Sequence, residues 1–100
     1  MRSIVLARLD KTRPAVVLTR ELALDYLNNV TVAPIASTVR GLSTEVLVGV
    51  RNGLDHECAV SCDNITTVPK ASILREIGVL FDDQETLLAQ ACACAFDLWL

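Results

Sequence analysis

Three short polar segments stand beside apolar runs and group the side chains best suited to binding an anion: Lys11-Thr12-Arg13-Pro14, Ser37-Thr38-Val39-Arg40-Gly41 and Cys62-Asp63-Asn64. The chain contains no phosphate-binding GxxxxGK[ST] loop, no HExxH and no GxSxG. Its single histidine, His56, lies between Asp55 and Glu57 and reads as a solvated loop residue. An enzyme without a usable imidazole or a metal must work by holding its substrate in place and by stabilising charge. Arginine suits that role, because its planar fork of donors fits phosphate oxygens, whereas its pKa makes it a poor base at neutral pH.

The four cysteines, Cys58, Cys62, Cys92 and Cys94, are expected as free thiols in apolar surroundings. Zinc is not expected, because Cys-x3-Cys and Cys-x-Cys separated by 29 intervening residues match no finger or ribbon spacing. In a helix, moreover, Cys-x-Cys points its sulfurs about 200° apart. The net charge of −3 is unevenly spread. Residues 1 to 51 hold seven Lys/Arg against four acids, a balance of +3, and residues 52 to 100 hold two against eight, a balance of −6. Phosphate affinity needs a local cationic face rather than a basic total, so a polyanion site is expected mainly in the first half.

The elements that must position these segments are short. Ser3 to Leu9 and Ala15 to Thr19 read as a hairpin around the polar break Asp10-Lys11-Thr12, with Pro14 tolerable only where a strand starts or lies at an edge. Arg20 to Asn28 suggests a short helical turn. Val30 to Ile35 and Glu45 to Val50 form the next strands, separated by a loop over Ala36 to Thr44, and Arg51-Asn52-Gly53 is a turn. Cys58 to Cys62, Ile65 to Val68 and Glu76 to Leu80 complete the strands, with a short link at Lys70 to Leu74. From Asp82 a helix is expected, capped by Asp82 or Asp83, with Leu87, Leu88, Ala91, Ala95 and Leu98 as its apolar stripe. Six or seven short strands and one terminal helix make a mainly β domain, residues 1–100, whose sheet must bend or close to protect its edges. At 52 % apolar with four aromatics, the composition is rich for so small a domain and predicts a homodimer. No apolar run approaches the roughly 20 residues of a bilayer span, so no membrane association and a cytoplasmic location are expected.

Taken in order, Thr12-Arg13-Pro14-Ala15-Val16-Val17-Leu18, then Val32 to Val46 with its API-x-STVRG-x-x-TEV pattern, then Cys62-Asp63-Asn64-Ile65-Thr66-Thr67-Val68 resemble the successive blocks of the MazF/PemK/Kid toxins. The likeness spans nearly the whole chain. It implies an SH3-like barrel with a C-terminal helix, a two-fold dimer with RNA in the groove across it, and a MazE-like antitoxin whose acidic C-terminal segment blocks that groove. It also implies the toxin of a type II toxin–antitoxin system, a metal-independent and cofactor-free endoribonuclease. Such enzymes cut single-stranded RNA by attack of the 2′-hydroxyl on the adjacent phosphorus, leaving a 2′,3′-cyclic phosphate and a 5′-hydroxyl.

Under that resemblance Arg13 is the catalytic arginine. The family's second catalytic group, a threonine two residues after the proline of the API block, is here Ala36. Ser37 or Thr38 is expected to supply the hydroxyl instead, or else both only satisfy loop backbone. Thr38 would share the side of Ala36 if the segment stayed extended. Lys11, Thr12 and Arg40 are candidates for RNA binding, with a solvated surface role as the alternative for Lys11 and Arg40. Asp63 and Asn64 are candidates for RNA binding; Asp63 aligns with an acid that some members of that family use in catalysis or base recognition, or else it caps a turn through Asn64. The connection after Asp10 is much shorter than the long first loop of many relatives, which predicts a more open groove. Tyr26, Phe81, Phe96 and Trp99 read mostly as core or dimer residues, leaving base preference to polar loop groups. The rival reading is a CcdB-like gyrase inhibitor of the same fold, suggested by Leu98-Trp99-Leu100 but lacking the Gly-Ile that follows Trp in that pattern.

Overall fold

The computed structural model describes residues 1–98. Seven strands form one curled sheet: β1 (Arg2–Arg8), β2 (Thr12–Val17), β3 (Asn29–Ala36), β4 (Glu45–Val48), β5 (Cys58–Ser61), β6 (Thr66–Pro69) and β7 (Ile73–Leu80). The helix α1 (Asp82–Phe96) follows. Hydrogen-bonded neighbours run β4-β5-β3-β2-β1-β7, all antiparallel, and β6 joins β3 beside β5. One edge of β3 is thus shared, residues 29 to 32 with β6 and residues 35 and 36 with β5. This curled, half-barrel sheet with its terminal helix is the SH3-like architecture that the family resemblance implies.

Both faces of the central strands are buried, which is why their sequences run apolar without alternation. Ile4, Val16, Ala33, Ile35, Val46, Val60 and Leu80 pack beneath Leu88 and Ala91 of α1. Their immediate neighbours Val5, Ala15, Val17 and Val32 turn the other way, into a second cluster with Leu24 and Ile73. Pro14 is accommodated because β2 pairs only with β1 at that point, its pairing to β3 beginning at Ala15↔Pro34. The helical turn expected after Arg20 is a single 3-10 turn at Glu21–Ala23.

The helix departs from expectation at both ends. Its N-cap is Phe81, not Asp82 or Asp83, and the Phe81 N–H is taken by Gln84 Oε1 at 3.1 Å. The acids of the first turn instead tie down other segments: Asp83 holds the Arg51 guanidinium through two bonds of 3.1 and 3.2 Å, and Glu85 holds Arg2 at 2.9 Å. Of the expected stripe, Leu88 and Ala91 are buried and Ala95 packs on the core, but Leu87 and Leu98 are exposed. Leu87 falls at the rim of the stripe that begins with Gln84, and Leu98 lies beyond the left-handed residue Asp97 that ends the helix.

Two buried amides fasten the helix to the sheet. Asn52 Nδ2 donates to Val79 O at 2.9 Å and to Gln84 Oε1 at 2.7 Å, and its Oδ1 accepts from Gly49 N–H at 3.0 Å and Gln84 Nε2 at 3.2 Å. Gly78 makes this approach possible, since a Cβ there would stand 1.7 Å from Asn52 O. Cys58 and Cys62 are buried as small apolar groups. Burial and the neighbouring Cys92 thiol push Cys62 up to about 12, with 3.7 Å between the two sulfurs. Cys94, two residues on, is exposed. Asn52→Ala is expected to destabilise the fold by about 2–4 kcal/mol in urea denaturation, because the Gln84 amide and the Val79 carbonyl lose partners without gaining water.

Candidate active site

A cavity of about 760 Å³ opens where β2, β3 and the turn after β5 converge. Six of the eight site residues expected from sequence line it: Arg13, Ser37, Thr38, Arg40, Asp63 and Asn64. The register explains why. Ala15 pairs with Pro34, so continuing the ladder by two residues sets Arg13 across from Ala36, and both line the cavity. Lys11 and Thr12 are exposed but do not line it. Side chains alternate along β2, so Thr12 faces away when Arg13 faces in, and Lys11 belongs to the turn.

Beyond Ala36 the strand ends and the chain bends at Ser37 and Thr38. The parity argument that favoured Thr38 therefore does not apply, and both residues line the cavity. Asp63 and Asn64 lie in a 3-10 turn, Cys62–Asn64, that leaves β5. Thr44 Oγ1 donates to Asp63 Oδ2 at 2.6 Å, and Asn64 Nδ2 donates to Ser61 Oγ at 2.8 Å, so both side chains are held in place. No aromatic side chain lines the cavity among the described residues. Tyr26 and Phe96 are exposed rather than core, and Phe81 stacks under the Arg51 guanidinium at 4.5 Å. Trp99 lies outside the described residues.

Two acids join the wall that the polar segments alone did not mark, Asp10 and Glu45. Asp10 Oδ2 accepts from Arg13 Nη2 at 2.8 Å across the tight turn between β1 and β2. An acid three residues before an arginine over a turn is a pattern visible in the sequence, although Asp10 by itself reads there only as a polar break. Arg13 Nε is buried without an acceptor among the described residues. Such an N–H costs about 1–3 kcal/mol unless something supplies an acceptor. With Asp10, Glu45 and Asp63 against Arg13 and Arg40, the wall is not cationic in total. Each carboxylate, however, is engaged by a protein donor.

A family model described as PemK-like, MazF-like toxin of type II toxin–antitoxin systems matches residues 2–94. The chain belongs to this family. It is 54 % identical over 98 residues to a protein of Mycobacterium tuberculosis named Endoribonuclease MazF3, covering 98 % of this chain and 95 % of that one. Among solved structures, the Mycobacterium tuberculosis toxin MazF-mt6 superposes with a TM-score of 0.97 at 52 % identity, over 99 % of this chain and 100 % of that one. A mycobacterial endoribonuclease in complex with its cognate antitoxin shares the fold at a TM-score of 0.87 and 20 % identity, over 98 % and 94 % of the two chains. The MazF-like fold therefore accounts for the whole described chain. No described helix is long and apolar enough to cross a membrane.

The Asp10–Arg13 pair has a measurable signature. Desolvation works to raise the Asp10 carboxyl, but the Lys11 N–H and the Arg13 guanidinium outweigh it and hold it below the usual carboxylate range. A depressed acid stabilises the fold above its unfolded-state pKa, and that contribution is lost as pH falls through the folded-state value. A carboxyl-detected NMR titration is expected to find Asp10 titrating below a free aspartate, and Arg13→Ala is expected to move it upward.

Proposed function

We propose that this chain is the toxin of a type II toxin–antitoxin system, an endoribonuclease that cuts single-stranded RNA without a metal or other cofactor. The observation that carries the reading is Arg13. It stands at the RP position of a family whose relative is named an endoribonuclease, and it faces a cavity beside Ser37, Thr38 and Arg40. The substrate supplies the nucleophile, its own 2′-hydroxyl, which attacks the adjacent phosphorus as the bond to the 5′-oxygen breaks. The products are a 2′,3′-cyclic phosphate and a 5′-hydroxyl. The protein needs only to orient the backbone, stabilise the added negative charge and assist the proton.

In this scheme the Arg13 guanidinium meets the phosphate oxygens, with Asp10 fixing one of its nitrogens so that the fork is held before substrate arrives. The hydroxyl missing at Ala36 is replaced by Ser37 or Thr38. Arg40 binds the RNA backbone, and Asp63 and Asn64 contact bases. Lys11 and Thr12, outside the cavity wall, serve flanking phosphates at most. The active form is a homodimer in the cytoplasm, and its regulator is an antitoxin whose C-terminal segment covers the cavity; a protein of the same fold has been solved in complex with its cognate antitoxin. The gyrase-inhibitor alternative is not favoured: the matching family and the named relatives are MazF-like.

Purified protein is expected to cleave single-stranded RNA in EDTA and to leave gyrase supercoiling untouched. Arg13→Ala is expected to lose on the order of 3–4 kcal/mol of transition-state stabilisation, measured as kcat/KM. Cleavage by that variant within about tenfold of the parent protein sinks the assignment. Of Ser37→Ala and Thr38→Ala, the one removing the working hydroxyl is expected to lower kcat by about ten- to a hundredfold with an unchanged urea midpoint.

A further inference from the structure

We propose that Glu45 is the positioning residue for Arg40. Its functional consequence rests on the RNA-cleavage reading above, while its geometry stands alone. Residues 37 to 44 run along the cavity without a strand ladder of their own, so the loop needs another anchor. Glu45 is fixed by its place at the start of β4, paired with Ser61. From there its side chain turns back into the loop. Oε1 accepts from the backbone N–H of Arg40 at 3.1 Å and of Leu42 at 3.0 Å, and Oε2 lies 3.4 Å from the Arg40 nitrogen. The Glu45 N–H closes the turn by donating to Leu42 O at 3.1 Å.

Gly41 sits between the two donors with φ +73°, the left-handed backbone that lets both N–H groups converge on one oxygen. A Cβ at Gly41 would meet nothing within 4 Å, so the backbone turn and not the available space calls for glycine there. Hydrogen bonds to an ionised acceptor are among the stronger ones, which suits a short loop that must be ordered. Glu45 engages the backbone of Arg40 rather than its guanidinium, so the cation remains available to an anion in the cavity. An acid on the wall of a site for a polyanion would otherwise repel its ligand. With Oε1 accepting from two amides, Glu45 acts on the loop and not on the substrate.

The test uses Glu45→Ala, Glu45→Asp, Glu45→Gln, Arg40→Ala and the double variant Glu45→Ala/Arg40→Ala in the full chain. Affinity is read with a mixed-sequence single-stranded RNA carrying 2′-O-methyl groups, which 2′-hydroxyl attack cannot cleave. Glu45→Ala is expected to weaken binding and raise KM about tenfold with kcat within about threefold. Glu45→Asp, whose carboxylate is one methylene too short, is expected to behave the same way and provides a second route if the alanine variant does not fold. Glu45→Gln keeps an acceptor and is expected to remain within about threefold of the parent protein. The double variant is expected to lose no more than Arg40→Ala alone, as for two residues acting as one unit. By NMR hydrogen exchange, the Arg40 and Leu42 amides are expected to be protected in the parent protein and in Glu45→Gln, and released in Glu45→Ala or Glu45→Asp. Additive losses in the double variant, failure of Glu45→Gln to rescue, or a fall in kcat with a shifted pH profile would overturn the proposal. A parent protein that cleaves no RNA sinks the nuclease reading instead, while the exchange and binding measurements still decide the role of Glu45.

Discussion

Strand β3 has to satisfy three neighbours with two edges, and that constraint shapes the molecule. One edge belongs to β2, while the other is divided between β6 over residues 29 to 32 and β5 over residues 35 and 36. The sheet curls about this shared strand, and its middle strands are buried on both sides. The cavity forms where β3 leaves the sheet. Arg13 arrives from β2 by register, Ser37, Thr38 and Arg40 continue directly from β3, and Asp63 and Asn64 leave β5 at the adjoining turn. Residues far apart in sequence meet because each lies within a few positions of the same strand end.

The cavity then works by pattern rather than by total charge. Two guanidinium groups face three carboxylates, a composition that by count alone would repel RNA. Yet Asp10 is held by Arg13, Glu45 by the loop amides and Asp63 by Thr44. Carboxylates engaged in this way orient cations and loops more than they project charge. The same logic reconciles a net charge of −3 with a polyanionic substrate, since screening confines each interaction to about 8–10 Å in salt.

The helix contacts and the cavity occupy different parts of the sheet. The buried Asn52–Gln84 pair and the ion pairs of the helix's first turn, Arg51–Asp83 and Arg2–Glu85, fix α1 on the strands. The cavity side chains Arg13 and Ala36 share the strand face of Ala15 and Val17, which belong to the second apolar cluster rather than to the one beneath the helix. Changes in the two regions should therefore separate, the first acting on helix docking and the second on the cavity wall.

Much of this was legible in the residues themselves. The strand runs, the loop after Ala36, the terminal helix, the family blocks and the six expected residues that line the cavity all follow from local composition and from motifs whose spacing is short. What local pattern could not decide was direction. Whether Thr12 or Arg13 faces the cavity depends on the register of β2 against its neighbours. Which stripe of α1 is buried depends on the helix's rotation over the sheet, which left Leu87 outside and brought Gln84 in, while the left-handed Asp97 ends the helix before Leu98. Asp10 and Glu45 joined the site only when the turn and the loop closed around them. Those outcomes are set by hydrogen bonds and packing between segments distant in sequence, so they exist only once the chain has folded.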